Sequence, residues 1–210
     1  MKAIVDKAYK IIASAYAKTV KSENFDNEFI ERFLRNFNRE KKILDVGCGS
    51  GNVTNDLVSK HRLNVVAIDI SPAMIKLAKK RFPKLDVRKM DLRDLKFSSG
   101  CFDGIFANYS LIHISEDDVL DALKGFYHVL KKNGLLYLSL QEPTSVKQKD
   151  GLYPVAYNKK VKMFINLFSE KEIVTYLKKA GFKILWTDRR KANKKFEFPF
   201  NKLFLVAKKK

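Results

Sequence analysis

The sequence predicts an α/β fold, in which a doubly wound, mostly parallel sheet carries helices on both faces. Short apolar strands alternate with helical patterns along the chain, and this alternation is typical of parallel sheets. A glycine-rich turn joins the first strand to the next helix, as at the nucleotide-binding corner of such sheets. The strand candidates are 42–46, 65–69, 86–89, 102–107 and 134–140, and the helix candidates between them lie near 52–60, 73–81 and 117–131.

The glycine-rich turn has a spacing that bears on its ligand. Glycines stand at positions 47, 49 and 51, and Asp45 precedes the first of them by two residues. Glycine permits positive φ and has no Cβ, so the backbone can turn sharply and a ligand can approach it closely. The dinucleotide fingerprint Gly-x-Gly-x-x-Gly requires its third glycine one residue later, where this chain has Asn52. The spacing therefore favours a ligand other than a dinucleotide.

Two acids follow at the ends of the next two strands. Asp69 lies roughly 20 residues past the turn, the separation at which a βαβ unit places a carboxylate against ribose hydroxyls. Ser71 and Pro72 then start a helix, with Ser71 as its cap and Pro72 in its first turn. Asp91 follows the short strand 86–89. The structural alternatives are a turn or cap role for Asp69 and an ordinary surface position for Asp91.

A fourth element opens with Phe102-Asp103 and continues to Asn108, Tyr109 and Ser110. The four elements stand in this order over roughly residues 41–142, and in this arrangement the chain resembles the class I S-adenosylmethionine-dependent methyltransferases. The resemblance implies S-adenosyl-L-methionine as the cofactor and a Rossmann-like, seven-stranded sheet. It also implies an antiparallel C-terminal edge strand, from the strand pair 182–187 and 203–207.

The same resemblance assigns parts of the cofactor to particular residues. It implies that Asp91 accepts from the adenine amino group and that Leu92 packs on the adenine ring. It places Asn108, Tyr109 and Ser110 along the methionine end, while Cys48 is expected to fill space in the turn rather than to act as a nucleophile. The residues so implied to bind the cofactor are Tyr16, Asp45, Gly47, Cys48, Gly49, Asp69, Ile70, Met74, Asp91, Leu92, Asn108 and Tyr109.

The length of the chain fits a single domain of residues 1–210. Its expected parts are a helical lid (1–40), a cofactor-binding core (41–142), a substrate-cap insertion (143–168) and a C-terminal helix with edge strands (169–210).

Two helices are predicted in the lid. The first is an amphipathic helix over residues 1–21, and the second is capped by Asp26 and runs to about Phe37. The resemblance implies that they cover the cofactor and that Tyr9 or Tyr16 contacts it. Packing against the edge of the sheet is the alternative for either tyrosine.

The insertion and the C-terminal part carry their own signals. Residues 143–168 interleave lysines with Tyr153, Tyr157, Phe164 and Phe168, which makes this segment the candidate wall of the acceptor site. A capping box at Ser169 and Glu172 predicts a helix over 170–180 that ends at Gly181, and Gly134 is the predicted stop signal of the helix 117–131.

Charge leaves a nucleic-acid partner open. The net charge is +19, and residues 143–210 hold 18 basic and 5 acidic side chains, so most of the excess lies outside the cofactor motifs. However, 33 of the 42 basic residues are lysine, whereas bidentate reading of phosphates and bases relies on arginine. A basic cluster of Arg189, Arg190, Lys191, Lys194 and Lys195 lies between the last two strands, as a binding surface or as a solvated turn.

The remaining motifs narrow the reaction. His113 lies just beyond a strand end, where open α/β sheets place ligands, and is the candidate general base, with a structural hydrogen bond as the alternative. No proline follows Asn108, unlike in the nucleobase amine enzymes, and Cys101 precedes the strand and cannot serve as the nucleophile of the cytosine C5 enzymes. We therefore expect methyl transfer to an oxygen or nitrogen of a small molecule.

Two alternatives to that function stay open. One is a tRNA or rRNA methyltransferase that uses the basic C-terminal third, and the other is a non-catalytic module that binds the cofactor. The two cysteines have no metal-ligand spacing and no apolar run reaches the length of a membrane span, so we expect a cytoplasmic protein without a metal. The sequence gives no signal for an oligomeric state.

Overall fold

A computed structural model describes residues 2–19, 25–38, 40–145, 147–148, 150–155, 158–193 and 197–210. The helices are α1 (Lys2–Thr19), α2 (Asn27–Leu34), α3 (Asn52–Ser59), α4 (Pro72–Arg81), α5 (Glu116–Val129) and α6 (Glu170–Lys179). The strands are β1 (Lys42–Val46), β2 (Asn64–Asp69), β3 (Asp86–Lys89), β4 (Phe102–Asn108), β5 (Leu130–Glu142), β6 (Gly151–Val155), β7 (Asn158–Ile165), β8 (Phe182–Arg190) and β9 (Asn201–Lys209).

Seven of these strands form one sheet in the order β3-β2-β1-β4-β5-β9-β8. Neighbours from β3 to β5 are parallel, and β9 lies antiparallel between β5 and β8. This confirms the predicted doubly wound, seven-stranded fold. Because the parallel strands all end at one edge, the glycine turn after β1, Asp69 after β2 and the segment after β4 meet there.

Helices cover both faces of the sheet, since the strands are buried on both sides. On one face the aromatic side of α2 packs on the sheet, and the ring of Phe29 stacks on that of Phe204 at 3.9 Å between centroids. On the other face α5 and α6 bury Leu123, Phe126 and Leu177 in the main core. The two predicted lid helices thus differ in position, because α2 packs on the sheet whereas α1 contacts α4 and β7.

The differences from the sequence prediction include two helix ends and an added hairpin. Helix α5 ends at Val129 rather than near Gly134, because Leu130 already pairs with Phe102 of β4. Gly134 lies inside β5, where a Cβ would come within 2.8 Å of the Lys131 carbonyl oxygen, so a close approach accounts for this glycine. The insertion contains the unpredicted hairpin β6–β7, and α2 ends at Leu34 instead of near Phe37.

Of the three predicted helix caps, one makes its side-chain hydrogen bond and two do not. Ser169 and Glu172 form the predicted capping box of α6. Ser71 stands at the N-cap position of α4, but its hydroxyl makes no cap bond, and the Asp69 carboxylate holds the Ser71 amide instead. Asp26 likewise precedes α2 without a side-chain cap bond, because its carboxylate binds Arg190.

Across the described ranges, none of the helices is both long and apolar enough to span a bilayer.

We predict that Ser169→Ala lowers the free energy of unfolding by about 1 kcal/mol, because it leaves the Glu172 amide of α6 without its acceptor. Urea unfolding measures the change. Lys171→Ala in the same turn is the matched control and should stay within about 0.5 kcal/mol of the unsubstituted chain. Equal losses for the two variants would contradict a stabilising role for the cap.

Candidate active site

The glycine turn has the backbone that its sequence requires. Gly47, Gly49 and Gly51 have φ values of 76°, 54° and 79°, in the left-handed region that glycine adopts without strain. A Cβ on Gly47 would collide with the side chain of Ser110, which follows β4. The turn therefore lies directly against the end of β4, and substitution of Gly47 would push the two segments apart.

Four amides of this turn donate to acceptors within the protein. Two of them share the carbonyl of Ile68 at the end of β2, one reaches the carboxylate of Asp69, and one closes the turn on itself. The donor–acceptor distances are 2.8 Å for Gly47, 3.0 Å for Cys48, 2.8 Å for Gly49 and 3.0 Å for Gly51. A phosphate-binding turn presents its amides to the ligand. Here these four are already used, and the turn is fastened to β2.

Asp69 joins this turn to the start of α4. Its Oδ2 accepts from the Gly49 amide and its Oδ1 from the Ser71 amide, both at 2.8 Å. Burial raises the pKa of Asp69, and these amide bonds partly offset the effect. The carboxylate of Asp6 in α1 lies near enough to contribute to the rise. The Ile70 amide also donates to this carboxylate, which still has acceptor capacity for a hydroxyl group of a ligand.

Asp45 lies in β1 just before the glycine turn, and Cys48 lies within the turn. Asp45 is buried in β1 and accepts from the Thr54 hydroxyl of α3 at 2.5 Å. Burial raises the pKa of Asp45 to about 7 despite this hydrogen bond. The pKa of the Cys48 thiol is raised well above its usual value by burial and by the nearby Asp45 and Asp69. A thiol held neutral in this way is a poor nucleophile.

Two buried serine hydroxyls beside the turn have no hydrogen-bond partner among the described residues. One belongs to Ser71 after β2, and the other to Ser110 after β4. Buried hydroxyls are almost always paired in native proteins, and an unpaired one indicates a missing partner. The two hydroxyls follow the strands on either side of β1, which ends in the turn. They are the positions at which a polar ligand would complete the site.

The other predicted cofactor residues near β2 and β3 lie around the same edge. Ile70 is half-buried directly after Asp69, and Met74 is buried in α4. Leu92 packs against the main core. The Asp91 carboxylate accepts from Arg93 through Nε at 3.0 Å and through Nη2 at 2.7 Å, so a guanidinium already occupies part of its acceptor capacity.

The side chains at the end of β4 are held by their own contacts. The Ser139 hydroxyl donates to Oδ1 of Asn108 at 2.6 Å. Tyr109 has a φ of 51° and its ring packs into both large core clusters. Its buried hydroxyl lies near Asp26, whose charge helps to raise the pKa of Tyr109 after the larger effect of burial. The structure thus brings the Asn108 backbone to the site and directs the Tyr109 ring into the core.

His113 has both ring nitrogens in use. Nδ1 lies 3.0 Å from the carbonyl oxygen of Phe164 in β7, and Nε2 lies 2.9 Å from the Tyr9 hydroxyl in α1. A carbonyl can only accept, so Nδ1 carries the proton and Nε2 accepts from Tyr9. Burial lowers the pKa of His113 to about 4. The imidazole is therefore neutral near pH 7, and its two hydrogen bonds connect α1 to β7. The side chain of Tyr16, the other predicted contact from α1, lies outside the described residues.

An ion cluster that the sequence did not predict lies at the end of β8. Arg190 donates to Asp26 through Nε at 2.7 Å and to Glu197 through Nη1 and Nη2 at 2.8 and 2.7 Å. The neighbouring Arg189 pairs with Glu142 at 3.2 Å and with Glu170 at 2.6 Å. Both arginines of the predicted basic cluster are thus neutralised, and Lys194 and Lys195 lie outside the described residues. The cluster has no local sequence signal, because Asp26 and Arg190 are 164 positions apart.

Comparison with known proteins agrees with this architecture. Residues 43–134 match the family model of a methyltransferase domain. The chain is 29% identical over 99 residues to an uncharacterized methyltransferase of Oceanobacillus iheyensis, over 47% of this chain and 46% of that protein. It is 25% identical over 198 residues to the ubiquinone/menaquinone biosynthesis C-methyltransferase UbiE of Campylobacter jejuni, over 81% of this chain and 80% of that protein.

A solved structure extends the likeness to nearly the whole chain. It is the 1,6-didemethyltoxoflavin-N1-methyltransferase of Burkholderia thailandensis with bound 1,6-didemethyltoxoflavin and S-adenosylhomocysteine, at a TM-score of 0.75 and 20% identity over 99% of this chain and 88% of that one. Residues 43–134 therefore resemble a methyltransferase domain, and nearly the whole chain shares the fold of that solved structure. The chain spans less than half the length of the first curated relatives that it matches.

We predict that His113→Gln reduces the loss of unfolding free energy that accompanies acidification. With a pKa of about 4 in the folded chain and a usual value of 6.5, His113 contributes stability above pH 6.5 that is lost as the pH falls toward 4. Glutamine can keep both hydrogen bonds without titrating. The difference in unfolding free energy between the two chains should change by about 1 kcal/mol per pH unit in this window.

Urea unfolding at several pH values between 4.5 and 7 measures this difference. Asp45, with a pKa raised to about 7, acts in the opposite direction, since its contribution is lost as the pH rises through that value. Both chains contain Asp45, so its effect cancels. Parallel pH curves for the two chains would show that His113 is not buried as a neutral ring.

Proposed function

We propose that this chain transfers a methyl group from S-adenosyl-L-methionine to a small molecule, at an oxygen or nitrogen atom. The observation that carries the proposal is the state of the glycine turn. Its amides at Gly47, Cys48, Gly49 and Gly51 already donate within the protein, so they offer no cradle to a diphosphate. A nucleoside ligand without phosphates, such as an adenosyl sulfonium, fits a turn of this kind.

The charge around the turn supports the same ligand. Although the chain carries a net charge of +19, three acids lie close to one another at the turn, namely Asp6, Asp45 and Asp69. A concentration of carboxylates in a partly buried cleft attracts cations and repels a dinucleotide diphosphate. The sulfonium of S-adenosylmethionine is a cation, and it supplies an already activated methyl group.

The residues present fit the parts of this cofactor. Asp69 can accept from a ribose hydroxyl with its remaining acceptor capacity. The unpaired hydroxyls of Ser71 and Ser110 lie on either side of the turn and can donate to ligand atoms there. Asp91 and Leu92 follow β3 and would hold the adenine, and Asn108 would face the methionine end.

The role of His113 in this site is that of a positioning residue. Its Nε2 accepts from Tyr9, so that lone pair is not available to take a proton from the acceptor. Asp6 and Tyr9 are three residues apart on one face of α1, and Asp6 is close to Asp69. His113 therefore holds the face of α1 that covers the cofactor site and keeps the Tyr9 hydroxyl at its edge. A covered site excludes water and fixes the acceptor, which lowers the barrier to transfer.

Two relatives favour a small ring compound as the acceptor. The UbiE relative is named as a C-methyltransferase of quinone biosynthesis, and the toxoflavin enzyme is named as an N1-methyltransferase. These names cover different accepting atoms, but both refer to ring compounds rather than to a nucleic acid or a protein. We propose a small-molecule acceptor for this chain on that basis, with RNA as the alternative that its charge leaves open.

We predict that Asp69→Asn weakens S-adenosylmethionine binding by about 10- to 100-fold, or roughly 1–3 kcal/mol, because a charged acceptor of hydroxyl bonds becomes a weaker, neutral one. Isothermal titration calorimetry measures the affinity. The matched control is Asp86→Asn on the neighbouring strand, where the carboxylate is exposed and pairs with Arg88. If Asp69→Asn binds as tightly as the control, the ribose lies elsewhere.

We also predict that methyl-labelled cofactor transfers its label to the metabolite fraction of a cell lysate. The lysate is separated into metabolite, protein and RNA fractions after incubation with the chain. Label in the RNA fraction alone would replace the small-molecule proposal with the RNA alternative. Tight cofactor binding without label in any fraction would instead identify a non-catalytic module.

A further inference from the structure

Two connected elements lie beside the proposed cofactor site, where Asp6 of one of them is close to Asp69. They are α1 (Lys2–Thr19) and the hairpin β6–β7 (151–155 and 158–165), and we refer to them together as the cap. Helix α1 packs against β7, and His113 bonds to both elements through Tyr9 and the Phe164 carbonyl. The cap joins the main core through the buried side chains of Ile12, Met163 and Ile165.

The outer surface of α1 exposes large aliphatic side chains. Ile4 is 43% exposed and Ile11 is 57% exposed, the highest value among the exposed large apolar side chains of the described chain. They are seven residues apart, so they lie on the same side of the helix, two turns from each other. Lys7 and Lys10 are exposed on the same helix.

The outer face of the hairpin has the same character. Leu152 is 49% exposed, and its neighbours on this face are Pro154, Lys160 and Lys162, which are exposed as well. The register pairs Pro154 with Lys162, so an apolar and a cationic side chain stand opposite each other. These four side chains are all exposed, so this part of the face is a mixture of aliphatic groups and ammonium groups.

The charged residues of the cap are nearly all basic. Residues 2–19 and 151–165 contain seven lysines and a single acid, Asp6. Asp6 is half-buried, and its carboxylate lies near Asp69 on the inner side of the cap. The lysines of the cap whose side chains the structure describes are all exposed, namely Lys7, Lys10, Lys160 and Lys162, so the outer surface combines positive charge with exposed aliphatic groups.

We propose that the outer surface of the cap docks on the surface of an anionic lipid bilayer. Aliphatic side chains enter the boundary of the hydrocarbon while lysines reach the lipid phosphates, which is the way interfacial helices bind. Ribonucleic acid fits this surface less well, because base stacking needs aromatic rings or arginine and the exposed apolar side chains here are isoleucine, leucine and proline. The site beneath the cap would then open beside the membrane surface. This docking goes beyond the proposed methyl transfer and does not depend on it.

The test is co-sedimentation of the full chain with vesicles of phosphatidylcholine alone and of phosphatidylcholine mixed with phosphatidylglycerol, in the absence of cofactor and acceptor. We expect binding to the anionic vesicles and little to the neutral ones. Ile11→Ser should lower the partition to anionic vesicles by about tenfold, since a large aliphatic group is lost. Lys160→Glu with Lys162→Glu should lower it by more than tenfold, because each lysine contributes about fivefold.

Matched controls lie away from the cap. Leu185→Ser removes a side chain that is 43% exposed on the edge strand β8, and Lys178→Glu with Lys179→Glu makes the same charge change at the end of α6. These variants should sediment with vesicles as the unsubstituted chain does, and thermal unfolding verifies that every variant is folded. Equal losses in the cap and control variants, or no binding to anionic vesicles, would overturn the proposal. The proposal would also be overturned if the cap variants, compared with the controls, lost binding to transfer RNA but kept their binding to anionic vesicles.

Discussion

The hydrogen bonds between Asp69 and the amides of Gly49 and Ser71 are the constraint on which the rest of the site depends. One carboxylate fixes the turn after β1 and the start of α4 at the same time, with both bonds at 2.8 Å. This arrangement also consumes an amide that a phosphate-binding turn would present to its ligand. The same contact thus holds two segments in register and favours a nucleoside without phosphates. The unpaired hydroxyls of Ser71 and Ser110 lie beside it, where a ligand can still be bound.

The charge of the protein is divided between two regions with different consequences. Acids collect around the glycine turn, where burial raises the pKa values of Asp45 and Asp69 and strengthens every electrostatic contact with a ligand. Lysines dominate the outer surfaces. Arg189 and Arg190, which the sequence offered as a basic binding cluster, are engaged with Glu142, Glu170, Asp26 and Glu197. The net charge of +19 therefore reflects the lysines of the outer surfaces and not the charged residues of the proposed cofactor site, which are acidic.

His113 links the inner and outer parts of this arrangement. Its neutral ring joins α1 to the hairpin through Tyr9 and Phe164, so two segments that are distant in sequence are held together. The inner side of the cap carries Asp6 and Tyr9 toward the proposed cofactor site. The outer side exposes Ile4, Ile11 and Leu152 among lysines. A single buried imidazole can thus couple what the cap contacts outside to the geometry of the site inside.

The sequence by itself determined the fold class, the glycine turn and the position of Asp69, because these depend on local periodicity, on positive φ and on the fixed length of a βαβ unit. It also gave the α6 capping box, whose partners are three residues apart. The direction of the Tyr109 ring, the partners of His113, the pairing of Asp26 with Arg190 and the hairpin β6–β7 were decided only in the tertiary structure. All of these except the hairpin depend on contacts between segments far apart in the chain, and side-chain burial and pairing across such distances leave no periodic or local signal in the amino-acid order.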